Sequence, residues 1–285
     1  MKTGWLLYEE SDLKQNLDFA RYVTDEGKKR GLDIQTVRTA QLELGVRAGG
    51  ALKLRKDGRD ALPDFVISRQ RDALTSEQFE KLGVPVFNGS RVCALCNDKR
   101  ATHQFLAGVP MLETTFVDHR RAVAPEEGLY PLVLKPARGH GGDRVQLVRN
   151  EYEWRDAADE ILPQDIVQQK PAAHPGRDLR VYVLFGRIAA AVMRTARQGI
   201  VSNFKRGGDA ALYTPAAQER ALAEAVIGRF EAAGAPLCFA GVDLLYDGDG
   251  PVLGEVEDVV GSRMLYKAGG PDIICLYLDE LAKRI

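Results

Sequence analysis

Read for hydrophobic periodicity, the chain alternates short apolar runs of period two with longer amphipathic stretches of period near 3.6. Thr3 to Tyr8 predicts a buried strand, Leu17 to Arg30 a helix stopped at Gly31, and Asp33 to Val37 a second strand. Ala51 to Leu62 predicts a hairpin about Asp57-Gly58. Strands at Asp64 to Ser68 and Val84 to Asn88 flank a helix from Thr75 to Leu82. This βαβ rhythm predicts a small parallel-sheet domain. It carries no GxGxxG, which argues against a dinucleotide site there.

Further along, Cys93 to Ala107 predicts a helix stopped at Gly108-Val109-Pro110, and Glu151 to Leu162 another. Strands are expected at Leu132 to Pro136, Val145 to Val148 and Ile166 to Gln169. Leu179 to Phe185 and Arg187 to Met193 alternate around Gly186 as an antiparallel hairpin does, and Pro215 to Ala233 is a long helix. Phe239 to Tyr246 and Pro251 to Glu257 flank Asp247-Gly248-Asp249-Gly250, a strong hairpin turn. Asp272 to Arg284 closes the chain as a helix, and no repeat or low-complexity tract interrupts the pattern.

Composition adds bounds. The 285 residues are 45% hydrophobic and 28% charged, enough for a sizeable core and two or three lobes in one unit. A net charge of -1 gives no global pull toward nucleic acid or an anionic membrane, so neither is expected as a partner. No apolar run reaches spanning length, and the N-terminus turns acidic too soon for a signal peptide, so a cytoplasmic protein is expected. Cys93 and Cys96 form a CxxC, but Cys238 and Cys275 stand apart, so the pair reads as two small buried residues on a helix.

The chemistry-bearing residues come late in the chain. Asp243 and Glu255 lie on two strands joined by one hairpin, and Glu257 points to the same face as Glu255. Three carboxylates on one face repel unless a cation neutralises them, and hard oxygen ligands suit Mg²⁺, with Mn²⁺ as the alternative. Lys135 ends an apolar strand and leads into Gly139-His140-Gly141-Gly142, where glycines let backbone N–H groups approach phosphate oxygens. Lys99 and His140 are weaker candidates for phosphate contact. Arg180, Arg194, Arg197, Arg206 and Arg263 give a local cationic surplus suited to carboxylates and phosphates.

Taken in order, these motifs from about Arg91 to Gly261 resemble the ATP-grasp superfamily, and most of all its RimK-like branch of carboxylate–amine ligases. Asn97-Asp98-Lys99 and Val133-Leu134-Lys135-Pro136 resemble the two lysine segments that reach nucleotide phosphate. Gly139 to Gly142 resembles the phosphate-covering loop. Val167-Gln168-Gln169-Lys170 resembles the adenine-contacting segment, with Asp178 as a ribose contact. Arg180, Arg194, Asn203 and Arg206 resemble the elements near the reacting carboxylate, and Asp243 and Glu255 the metal ligands.

The resemblance implies an α/β ATP-grasp fold with a parallel-sheet lobe (1–91), a central lobe with a glycine-rich lid (92–170) and a C-terminal lobe with the metal site (171–285). It implies ATP and Mg²⁺ as cofactors, an acylphosphate intermediate, and a small carboxylate and amine, or a peptide or protein C-terminus, as substrates. It also implies a homodimer or homotetramer. A small-molecule kinase and a non-catalytic nucleotide-binding regulator are the alternatives. Three departures stand out: Glu257 replaces the usual Asn, Arg144 stands where a third loop glycine is common, and Asp258 to Arg263 replaces a Pro-Gly turn that borders the acceptor site.

Overall fold

The computed structural model describes residues 1–196, 208–248 and 250–285. The chain begins with β1 (Lys2–Tyr8), α1 (Glu10–Gln15), α2 (Leu17–Lys29) and β2 (Leu32–Arg38). Next come β3 (Leu42–Val46), β4 (Leu52–Lys56), β5 (Arg59–Asp60), β6 (Phe65–Ser68), α3 (Ala73–Lys81) and β7 (Val86–Phe87). β2-β1-β6-β7 form a four-stranded parallel sheet, as the βαβ rhythm predicts. The predicted hairpin about Asp57-Gly58 is present, and both turn residues have positive φ. It acquires a third strand, β3, that periodicity does not flag. The segment after β1, for which periodicity predicts no element, winds into α1.

The expected single helix over Cys93 to Ala107 is two: α4 (Ser90–Cys96) and α5 (Lys99–Phe105). Asp98 caps α5 by accepting from the Arg100 N–H, so the chain restarts there without a glycine or proline. Cys93 and Cys96 are both buried free thiols on α4.

A second sheet, antiparallel in order β10-β9-β11-β8, uses β8 (Thr114–Val117), β9 (Leu132–Pro136), β10 (Gln146–Val148) and β11 (Ile166–Gln169). Helix α6 (Glu151–Ile161), capped by Asn150, packs Trp154, Ala158 and Ile161 on its back. The third sheet, β14-β13-β12-β15-β16, comprises β12 (Arg177–Leu184), β13 (Arg187–Thr195), β14 (Asp209–Leu212), β15 (Phe239–Asp247) and β16 (Gly250–Glu257). Helix α7 (Ala217–Ala232) covers one face, against Leu179, Val181 and Val183 of β12. The other face packs Tyr182 and Leu184 with the parallel sheet, and with the closing helices α8 (Arg263–Lys267) and α9 (Ile273–Ala282). Period two then carries that second face of β12 outward to Arg180 and Asp178, at the sheet's open end.

Candidate active site

Cross-strand register builds the site. Asp178 pairs with Arg194, Arg180 with Asp243, Asp243 with Glu255, and Gly241 with Glu257, so four strands present one charged face. The ladder slips between Asp243 and Leu244, leaving Gly254 as the extra residue of β16, where a Cβ would sit 3.1 Å from the Asp243 carbonyl.

The charges on this face are already paired. Arg180 forks onto Asp243 at 2.7 and 2.6 Å and reaches Glu257 at 2.9 Å. Arg194 holds Asp178 at 2.5 and 2.8 Å and also donates to Asp243 at 2.6 Å. Burial opposes ionisation of Asp243, yet the two guanidiniums hold its pKa below the usual carboxylate range. Glu257 lacks such a fork, and burial pushes its pKa up. The expectation that only a metal can relieve three mutually repelling carboxylates is corrected: Arg180 pairs with Asp243 and Glu257, Arg194 with Asp243, and Lys99 with Glu255. Among the described residues the three do not close into one compact ligand set. The donor set still fits a hard divalent cation. Glu255 and Glu257 are only partly buried on the cleft side, and Glu255 meets Lys99 at 3.3 Å.

The antiparallel sheet faces this surface across a cleft. Lys135 donates to Gln169 Oε1 at 2.7 Å, and Gln169 donates to Thr114 at 3.0 Å. Burial pulls the Lys135 pKa down to about 8, and its hydrogen-bond acceptor among the described residues is the neutral Gln169 amide, so the position favours an arriving anion. Lys99 donates to the Gly139 carbonyl at 2.7 Å, tying the glycine loop to Glu255. Gly139, His140, Gly141, Gly142, Lys170 and Asp178 line the same cleft. Gly141 and Gly142 take positive φ, and so does Arg144, the residue standing where a third glycine was expected. Arg144 leaves the cleft, bonding Asp143 and the Glu160 carbonyl.

The Gln168 side chain does not point into the cleft. Strand alternation turns it to the opposite face, where it accepts from Trp154 at 2.8 Å. Arg263 lies toward the N-terminal lobe, on the Gln15 carbonyl and Asn16. Arg197, Asn203 and Arg206 lie outside the described residues.

The fold gathers beside the cleft three further groups that the sequence reading did not assign as site residues, although it flagged the segments of Asn97 and Asp258. Asn97 donates to both oxygens of Asp258 at 3.0 and 3.1 Å, and burial lifts the Asp258 pKa to about 7. Arg71 pairs with Asp12 of α1. Arg69, buried at the end of β6, donates to the Val260 carbonyl at 2.9 Å. The signal was available, because Arg69-Gln70-Arg71 is a charged run at the carboxyl end of an apolar parallel strand, where such sheets place their sites.

Compared with known proteins, residues 97–280 match the RimK-like ATP-grasp domain. A probable alpha-L-glutamate ligase of Vibrio parahaemolyticus serotype O3:K6 is 29% identical over 94% of this chain and 93% of its own length. A probable alpha-L-glutamate ligase of Sodalis glossinidius is 32% identical over 73% of this chain and 72% of its own. Among solved structures, D-cycloserine synthetase DcsG superposes with a TM-score of 0.70 at 18% identity, covering 99% of both chains.

Proposed function

The chain belongs to the RimK-like ATP-grasp family, and from that premise we propose that it is an ATP-dependent carboxylate–amine ligase that forms an amide or peptide bond with release of ADP and phosphate. The observation that carries the reading is the cleft itself. Lys135 and Lys99 on one side face Asp243, Glu255 and Glu257 on the other, with the Gly139 to Gly142 loop bordering the space between them.

In this reading the nucleotide lies between the two antiparallel sheets. Its phosphates meet Lys135, Lys99 and the loop N–H groups, and its base lies along the backbone at Gln169-Lys170, with Asp178 near the ribose. Asp243, Glu255 and Glu257 would hold Mg²⁺, which supplies charge neutralisation on the phosphates. A substrate carboxylate oxygen attacks the γ-phosphorus, the bond to the β-phosphate bridging oxygen breaks, and ADP leaves. The amine nitrogen attacks the resulting acyl carbon, loses a proton, and inorganic phosphate departs. No side-chain nucleophile is required, because the work is positioning and neutralisation of charge. Arg180 and Arg194, fixed by their carboxylates, present oriented N–H groups at the reacting end. Arg206 and Asn203 are assigned to the same end by resemblance alone.

The carboxylate substrate proposed is an amino acid, a peptide or a peptide C-terminus. The test is ADP release with Mg²⁺-ATP across a panel of amino acids and short peptides, with mass spectrometry of products. A product one water lighter than two panel members combined is expected. A phosphorylated panel member without ligation would replace the ligase by a kinase.

A further inference from the structure

A cavity of about 830 Å³ adjoins the nucleotide cleft and shares Arg180, Arg194, Glu255, Glu257 and the glycine loop with it. That size falls in the range of about 300–1,000 Å³ typical of small-molecule sites. Its lining differs in character from one element to the next. From β12, β13 and β16 come Arg180, Arg194, Glu255 and Glu257, each paired within the protein. Three helices supply apolar and aromatic groups instead: Phe19 and Tyr22 on α2, Met264 and Tyr266 on α8, and Ile274 on α9. The segment from Asp258 to Arg263, which departs from the expected Pro-Gly turn, joins the two sets, since it leaves Glu257 and lines the cavity on its way to α8.

The helical lining is held in place. Phe19 and Tyr22 stand three residues apart on α2 and so share one face. The Arg69 guanidinium lies over the Phe19 ring at 4.7 Å. Tyr22 and Tyr266 donate to the two oxygens of Asp272, Tyr266 at 3.0 Å, and Asp272 also caps α9 by accepting from the Cys275 N–H at 3.1 Å. The two tyrosines are thus anchored by their hydroxyls while remaining 37% and 39% exposed. The charged groups on this side have partners or face solvent. Arg263 is held by the Gln15 carbonyl at 2.7 Å and Asn16 Oδ1 at 2.9 Å, Arg71 pairs with Asp12, and Asp18 is exposed with Arg21 at 4.0 Å. A carboxylate or ammonium brought against the rings would lose water without gaining a partner, whereas an apolar group is stabilised by leaving water.

We propose that Phe19, Tyr22, Met264, Tyr266 and Ile274 form a specificity wall that selects a substrate with an aromatic or branched aliphatic side chain over one with a charged side chain. The proposal rests on the ligase reading and narrows it. The selected side chain belongs to the carboxylate substrate or to the amine, and the wall reads the same chemistry in either.

Isothermal titration of the full chain reads selection without turnover. The probes are the N-acetyl and carboxamide forms of L-phenylalanine, L-leucine, L-alanine, L-glutamate and L-lysine. Amide formation with Mg²⁺-ATP is measured separately on pairs of the same compounds. N-acetyl forms offer only the α-carboxylate and carboxamides only the α-amine, so mass spectrometry of the product shows in which substrate the side chain is selected. In at least one of the two roles, the phenylalanine or leucine form is expected to be favoured roughly tenfold or more over the alanine, glutamate and lysine forms. Phe19→Ala and Tyr22→Ala are expected to shrink that preference to about threefold or less, with ATP affinity within about twofold of wild type. Tyr22→Arg, which sets a cation on the wall, moves the preference toward the glutamate form. Tyr266→Phe keeps the ring and is expected to keep the preference. If Phe19→Ala does not fold, the more exposed Tyr22→Ala carries the test. A wild-type preference for glutamate or lysine, equal use of alanine, binding of no probe, or unchanged selectivity in Tyr22→Ala overturns the wall. Selective binding with no amide product sinks the ligase reading and leaves the wall standing. Amide made preferentially from the glutamate form does the reverse.

Discussion

Lys135 carries its charge where water is scarce, and that sets how nucleotide binding depends on pH. Its pKa is drawn down to about 8, below the ordinary lysine value. Without nucleotide, the charged form is therefore a cost that is fully present at neutral pH and relieved as pH rises through 8 toward the unfolded value. Polyphosphate favours the ammonium, so ATP affinity is expected to fall as pH rises from about 8 to about 10, with proton uptake visible as a buffer-dependent binding enthalpy. Lys135→Met is expected to flatten that profile and to weaken ATP by about 1.5–3 kcal/mol, the worth of one charge-assisted bond. A profile unchanged by the substitution would remove Lys135 from the phosphates. The carboxylates divide in a second test. Asp243→Asn and Glu255→Gln are both expected to abolish ADP release, but their folding costs differ. Asp243→Asn strips two buried arginines of a shared partner, at about 3–5 kcal/mol. Glu255→Gln loses one partly exposed pair with Lys99, at about 1 kcal/mol or less. Urea denaturation beside the activity assay checks both, and equal costs would show that Asp243 is not the keystone of the arginine network. The sequence made the facing of Asp243 and Glu255 legible, because one hairpin fixes their register. It did not show Arg180 entering between carboxylates, since that depends on β12 pairing with a strand some sixty residues further on.

At the element scale, Gly4 illustrates what periodicity cannot see. It lies opposite Phe65 in the β1–β6 ladder, and a Cβ there would stand 2.1 Å from the Phe65 ring. The ring fills the space that a side chain on β1 would occupy, so β1 and β6 pack through an aromatic laid across a glycine. Gly4→Ala is expected to destabilise the fold by about 1–3 kcal/mol through overpacking, read as a lowered thermal midpoint. An unchanged midpoint would mean that the ring moves aside freely. Elements with strong periodicity or a dedicated turn were legible: β1, α2, the β15–β16 hairpin and the Gly186 turn, where φ is +76°. Elements without either were not. β8 and β14 are short edge strands of four residues each, and edge strands show little of the alternation that two-sided burial enforces. The break between α4 and α5 escaped because its signal is a capping aspartate and not a helix breaker.

The molecule as a whole depends on joining the parallel sheet to the five-stranded sheet, because the cavity beside the cleft takes residues from both, Arg69 past β6 and Arg180 and Arg194 on β12 and β13. One apolar cluster spans both, placing Leu6, Phe65 and Ile67 with Tyr182, Phe239 and Tyr277. Asn88, buried just past β7, supplies the polar part of the joint. Its amide donates to the carbonyls of Phe239 and Asp258 at 2.8 Å each, and its oxygen accepts from the N–H groups of Cys238 and Phe239 at 2.6 and 3.1 Å. One side chain thus satisfies four buried backbone groups at the start of β15 and just beyond β16, the strands that carry Asp243 and Glu255. Asn88→Leu conserves size but leaves those groups unpaired. At about 1–3 kcal/mol for each unsatisfied group, a loss of about 3 kcal/mol or more is expected even if some find water. Because the apolar cluster is shared, the two sheets are expected to unfold together, so the urea midpoint falls while the slope of the transition is kept. A split or shallower transition in the variant would mean that Asn88, and not the shared core, makes the two sheets one cooperative unit. Turnover is expected to drop more than ATP affinity, since Asn88 holds the Asp258 carbonyl, one residue past Glu257, and bonds none of the residues proposed to meet the nucleotide.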